Sequence, residues 1–126
     1  MSVKYNVVER ANPSNRAAPK KYYPSIVSTG RMRTREMVTE AASISTMSSA
    51  DLAAAFEIFL AIIPKELAKG NIVELGDFGS FWLKSTAEGS DSADAVRGSQ
   101  ISGVLPRFTP GKEFKKILAA IEFEKA

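Results

Sequence analysis

Residues 48–70 constrain the fold more than any other stretch. Leu52, Phe56, Phe59, Leu60, Ile63 and Leu67 recur at spacings of three and four, as in a helix with one apolar face. Ser48 with Asp51 three residues later resembles a capping box that opens this helix, and Gly70 suits the position just past its end. Pro64 falls inside and is expected to kink the helix or cost its last turn a hydrogen bond. An earlier helix is expected from Thr34, a candidate cap, with Glu36 in its first turn and Met37, Val38, Ala41 and Ile44 as its stripe. Ser45-Thr46-Met47-Ser48 separates the two.

The residues that follow change period. Ile72 to Leu75, a turn at Gly76-Asp77, and Phe78 to Lys84 read as a compact hairpin. Residues 85–100 are polar and read as a solvated loop or flexible hairpin tip, after which Ile101 to Phe108 resumes the extended pattern. Thr109-Pro110 is expected to begin a last helix with proline at its first position, and Phe114, Ile117, Leu118 and Ile121 give it an apolar face. The order helix, helix, strand, strand, strand, helix describes a small α+β domain.

Residues 1–33 differ in character. Val3, Tyr5 and Val7 alternate with polar residues, Asn12-Pro13-Ser14-Asn15 is a cluster of turn formers, and Lys20 to Ser28 reads as a second extended run. Pro24 demotes that run to an edge. Three tyrosines and many branched residues argue for an added β ribbon rather than a disordered arm. The expected division is a basic N-terminal extension at 1–33 and a folded domain at 34–126.

Charge is uneven. Residues 1–35 hold Lys4, Arg10, Arg16, Lys20, Lys21, Arg31, Arg33 and Arg35 against Glu9 alone, a net +7, whereas residues 36–126 carry −4. A basic segment on an acidic body points to a polyanionic partner, the plainer alternative being a solvated basic tail. The chain has no cysteine and no histidine, which removes disulfides, thiolate nucleophiles, most zinc sites and the commonest general base. No nucleophile–base pair, phosphate-binding glycine loop or metal-ligand cluster appears, so no catalytic or metal site, cofactor or small-molecule substrate is expected. Leu52 to Ile63 is interrupted by Glu57 and is too short to span a bilayer. With no signal peptide visible, the expected location is the cytoplasm, with no membrane partner.

Two blocks carry a resemblance. Gly70-Asn71-Ile72-Val73-Glu74-Leu75-Gly76-Asp77-Phe78-Gly79-Ser80-Phe81 is similar to the G-x-x-V-x-L-x-G-F-G-T-F stretch of the HU/IHF family of bacterial histone-like, nucleoid-associated proteins. Pro106 to Lys115 is similar to that family's P-x-F-x-P-G-K-x-L-K. With the helical hairpin the match covers about residues 34–121. The resemblance implies an intertwined homodimer in which a helical hairpin, a three-stranded antiparallel sheet with an arm, and a C-terminal helix build a saddle for double-stranded DNA. It also implies that Phe78, Phe81 and Phe108 form the dimer's aromatic core, and that the protein condenses DNA at the nucleoid.

The sequence departs from the family at the arm. Family arms are rich in arginine and carry an Asn-Pro near the tip, the proline being the wedge that kinks the duplex. Here Ser85 to Val104 has no proline and a net charge of −2, which phosphates would repel. Lys20, Lys21, Arg31, Arg33 and Arg35 of the extension are candidates for the missing phosphate contacts, together with Lys84 and Arg97. Lys112, Lys115 and Lys116 at the start of the last helix are further candidates, Lys112 matching the lysine of the family's P-G-K; a solvated helix face is the alternative for all three. Alternation turns Ser80, Trp82 and Lys84 away from Phe81. Trp82 is then either a DNA contact or, as favoured here, covered by the ribbon. The function expected is non-sequence-specific binding and organisation of duplex DNA, with or without the family's kinking. The alternative is an HU-like structural module that has lost DNA binding and engages protein.

Overall fold

The computed structural model describes residues 1–126. Helix α1 spans Thr34–Ser43 and α2 spans Ser49–Ala68, and the two lie against each other. Ser48 Oγ accepts the Asp51 amide at 3.1 Å, so the expected cap of α2 is formed. At the other end Asn71 N–H donates to the Glu66 carbonyl and Gly70 N–H to that of Leu67, with Gly70 at φ +88°. This pair of bonds closes the helix in a left-handed turn that glycine adopts without strain. One expectation is corrected: Arg33, not Thr34, occupies the cap position of α1 and makes no side-chain capping bond, since a guanidinium has no acceptor. Pro64 lies inside α2 as expected, and the helix runs on for four more residues without the hydrogen bond that a proline nitrogen cannot donate.

Strands β3 (Val73–Glu74), β4 (Gly79–Ala87) and β5 (Ile101–Pro110) form an antiparallel sheet in that order. The turn between β3 and β4 is a single tight helical turn at Gly76–Phe78. Gly79 has φ +150°, and a Cβ there would lie 2.6 Å from the Phe108 ring and 2.5 Å from the Thr109 carbonyl. Only glycine lets the two strands approach so closely. Gly111 N–H donates to the Phe78 carbonyl at 2.8 Å, and a methyl on Gly111 would overlap the Asp77 carbonyl. These contacts extend the ladder past Thr109, so Pro110 ends β5 opposite Gly79 rather than opening the last helix. Helix α3 instead spans Lys112–Ala119. Both prolines of β5 are tolerated because β5 is an edge strand.

The turn, the sheet and α3 bring four phenylalanines together. Phe108 lies 5.4 Å from Phe78, 5.0 Å from Phe81 and 5.3 Å from Phe114, and Phe78 meets Phe114 edge-on at 5.2 Å. These are the tilted and edge-to-face distances at which aromatic quadrupoles attract. Phe114 thus joins the three residues expected to form the core.

A second sheet contains the expected ribbon and one further strand. Strands β1 (Ser2–Arg10) and β2 (Lys21–Ile26) pair as the expected antiparallel ribbon, with β2 and its Pro24 at an edge. Residues Glu122–Lys125, just beyond α3, form a further strand, β6, parallel to β1. Glu122 N–H donates to the Met1 carbonyl and Ala126 N–H to that of Tyr5, while Lys4 Nζ lies 3.5 Å from Glu124 Oε2. The extension is therefore sewn to the other end of the chain.

Burial is sparse. Leu67 and Gly79 are the only buried residues, and the accessible surface is 10624 Å². A compact monomer of this mass would expose roughly 6,600 Å². Part of the excess belongs to the ribbon and arm, but much is apolar helix surface: Ile58, Phe59, Leu60 and Ile62 are all exposed, Phe59 at 63%.

Candidate nucleic-acid interface

Period-two alternation gives the β4–β5 ladder two chemically different faces. Residues paired across the ladder share a face, so Phe81 stands with Phe108, whereas Trp82 stands with Arg107, Lys84 with Leu105 and Ser80 with Thr109. The outer face therefore carries one aromatic and two cations. Trp82 is half-buried and donates its indole N–H to Thr109 Oγ1 at 2.7 Å. The expectation that the ribbon covers Trp82 is corrected: within the chain, β1 pairs with β2 and β6 and does not pack along β4. Long-range pairing to β6 takes the ribbon elsewhere.

The remaining candidates fall into separate groups. Lys112, Lys115 and Lys116 lie on α3 at spacings of three and four, hence on one side of it. Gly111 caps α3 with no side chain, and its own amide is taken by Phe78, so free first-turn amides begin only at Lys112. Lys21 lies directly across the ribbon from Arg10, with Lys20 in the loop just before it. Arg31 and Arg33 lie in the link between β2 and α1, and Arg35 lines a groove between α1 and α2. The chain's ion pairs use only Lys4 and Lys69, so each of these cations stands free of a carboxylate.

Arg97 is different. Its Nη1 donates to the carbonyls of Asp94 (2.7 Å) and Val96 (3.0 Å), and its amide donates to Gln100 Oε1. Gln100 Nε2 in turn donates to Ser90 Oγ and to the Glu88 carbonyl. With two short helical turns at Ala93–Ala95 and Gly98–Gln100, the arm tip is exposed as expected but folded on itself. Arg97 serves that fold.

Sequence reasoning missed Arg107 and Arg10. The alternation that turned Trp82 outward also turns Arg107 outward, since Phe108 points inward. Arg10 needed the register of the ribbon, which only the paired strands reveal.

A carboxylate with a lowered pKa, Glu66, lies elsewhere, at the end of α2. Glu66 accepts from Asn71 Nδ2 at 2.9 Å and from Lys69 Nζ at 3.1 Å. The Asn71 bond first, then the Lys69 bond and charge, hold its carboxyl below the usual range.

Comparison with known proteins fits this geometry. No curated protein matches the chain. Among solved structures, a candidate bacterial DNA-binding protein from Bacteroides vulgatus ATCC 8482 superposes with a TM-score of 0.69 at 11% identity. That superposition covers 98% of this chain and 47% of the other, so this chain spans about half the length of that relative. An Anabaena HU–DNA cocrystal structure superposes with a TM-score of 0.57 at 22% identity, over 71% of this chain and 99% of the other. The fold is therefore HU-like, and the longer relative matches nearly the whole chain, ribbon included. The family described as "HU domain fused to wHTH, Ig, or Glycine-rich motif" matches residues 1–125, and the chain belongs to that family, HU-HIG.

Proposed function

We propose that this protein binds double-stranded DNA with little sequence preference, as a homodimer, and organises it at the nucleoid in the cytoplasm. The observation that carries the reading is the outer face of β4–β5, where Trp82, Lys84 and Arg107 stand together and the cations are unpaired. Such a face offers cations for phosphate contacts, which hold a duplex without reading its sequence, and an aromatic surface beside them. The Anabaena relative's DNA cocrystal supports the same ligand for this scaffold. The exposed apolar stripe of α2 and the half-exposed Phe78 support a second copy as the cover for the core. The arm at 85–104, acidic and closed on itself, does not kink DNA in this reading.

The test is a salt titration of the full chain against a short fluorescent duplex, starting at low ionic strength. Affinity should fall linearly on a double-logarithmic plot, with a slope near −0.9 for each phosphate contacted. Truncating residues 1–33 is unsuitable, because β1 holds β6; substitutions at Lys20, Lys21, Arg31, Arg33 and Arg35 are the proper probe. A second reading, an HU-like module that engages protein, rests on the apolar face of the ribbon sheet, where Tyr5, Val7, Tyr22, Pro24, Ile26 and Phe123 line one concavity. Absence of duplex binding at the lowest salt would favour it.

A further inference from the structure

The ribbon has an architecture that the duplex-binding reading does not by itself require. Strand β6 supports β1 only from Ser2 to Tyr5, so Asn6–Arg10 and their partners on β2 continue as a free two-stranded ribbon. At about 3.4 Å per residue this free part is roughly 17 Å long. Its loop is built, not loose. Asn15 N–H donates to the Asn12 carbonyl and Ala18 N–H to that of Asn15, giving two consecutive turns. Asn12 Oδ1 accepts from both the amide and the hydroxyl of Ser14, and Asn15 Oδ1 accepts from the Ala17 amide. Pro13 takes the second position of the first turn, where its fixed φ fits, and is exposed.

The charge at this tip is as specific as its shape. Residues 10–21 hold Arg10, Arg16, Lys20 and Lys21 and no acid. None is ion-paired, and Arg10 faces Lys21 directly across the ladder. Like charges so placed repel each other, and a polyanion lying against them removes the penalty. Arg10, Lys21, Pro13 and Pro19 line one cleft of about 630 Å³, so cations and exposed prolines meet at the same place. The 85–104 arm has no proline, and its one cation, Arg97, is engaged by carbonyls of the arm itself.

Proteins that enter the minor groove combine basic and amide side chains with a rigid apolar wedge that unstacks a base step. We propose that the ribbon tip is the element of this protein that enters the minor groove of duplex DNA. Pro13 is the wedge, and Arg10, Arg16, Lys20 and Lys21 take the flanking phosphates. The bend that the acidic arm cannot impose is made at the other end of the sequence. This inference rests on the duplex-binding reading and assigns its DNA-deforming part.

The experiment uses the full chain and a short duplex labelled at its two ends with a donor and an acceptor dye, so that affinity and bending are read together. Wild type should bind and raise energy transfer. P13A/P19A should lose at least about half of that gain while Kd changes less than about threefold, because the wedge deforms DNA and the cations hold it. R16A/K20A/K21A should raise Kd about tenfold or more and reduce the salt slope by about 2 to 3. All these positions are exposed, and circular dichroism verifies that each variant is folded. Binding and bending by both variants equal to wild type would overturn the tip assignment and leave duplex binding standing. Binding without any bending would remove the wedge. No binding by wild type at low salt would overturn both readings.

Discussion

Trp82 reaches across from β4 to donate its indole N–H to Thr109 Oγ1 on β5, at 2.7 Å. The bond holds the indole on the outer face beside Arg107 and Lys84, and it gives the face a built-in reporter, because this is the chain's only tryptophan. Duplex DNA should change Trp82 fluorescence in a saturable titration. R107A should weaken binding and lower the salt slope by about one. T109V should shift the emission of the free protein and cost about 1 kcal/mol, read as a lower urea midpoint. A duplex that binds without touching Trp82 emission would move the interface away from this face.

Gly79 lies where β4, β5 and the aromatic cluster converge, with the Phe108 ring and the Thr109 carbonyl filling the space a side chain would need. G79A should destabilise the fold by about 2–4 kcal/mol, from overpacking and a backbone conformation unfavourable to alanine. Chemical denaturation checks this. G89A, at a position with open space around it, is the control and should cost far less.

Phe59 is 63% exposed on α2, amid Ile58, Leu60 and Ile62. If a second copy covers this stripe, the wild-type species in sedimentation has twice the 13.6 kDa chain mass. F59D should then dissociate or unfold it, because an unpaired carboxylate is costly in an apolar interface. A monomeric wild type would refute the dimer.

Arm and DNA repel each other if they approach. E88Q/D91N/D94N removes three negative charges from the arm and should tighten duplex binding severalfold at low salt, with the gain vanishing as salt rises. Equal affinity at low salt would place the arm tip beyond a screening length from the phosphates.

Glu66 is held below the usual carboxylate range by Asn71 and then Lys69, at the closing turn of α2. A depressed folded-state value adds stability above the unfolded-state value, and this is lost as pH falls through the folded one. NMR titration of the Glu66 carboxyl should show a low midpoint, and N71A should raise it. The contribution is small, since the site is exposed to solvent.

Helix α2 shows how far local chemistry reaches. Its cap and its stop at Gly70 are written in residues 48–70, and the structure uses both, while of its apolar stripe only Leu67 is buried within the chain. The β4 and β5 strands and the inward phenylalanines were equally legible, because alternation and glycine placement are local signals. The outer face was half legible: alternation turns both Trp82 and Arg107 outward, while their pairing across the ladder needed the register of β4 and β5.

By itself the sequence determined the element order of residues 34–118, the basic ribbon, the acidic arm and the aromatic core. Each depends on residues within a few positions of one another, through helix caps, turn glycines and periodicity. Tertiary structure decided the rest. Strand β6 exists because its backbone bonds to Met1 and Tyr5, more than a hundred residues away, and nothing in Glu-Phe-Glu-Lys compels a strand on its own. Pro110 stays in β5 because Gly79 and Phe78 extend the ladder to it. The same long-range pairing set the ribbon beside β6 instead of over Trp82 and left its tip free. Hydrogen bonds between distant strands form only when the chain ends are brought together, and no local pattern encodes that meeting.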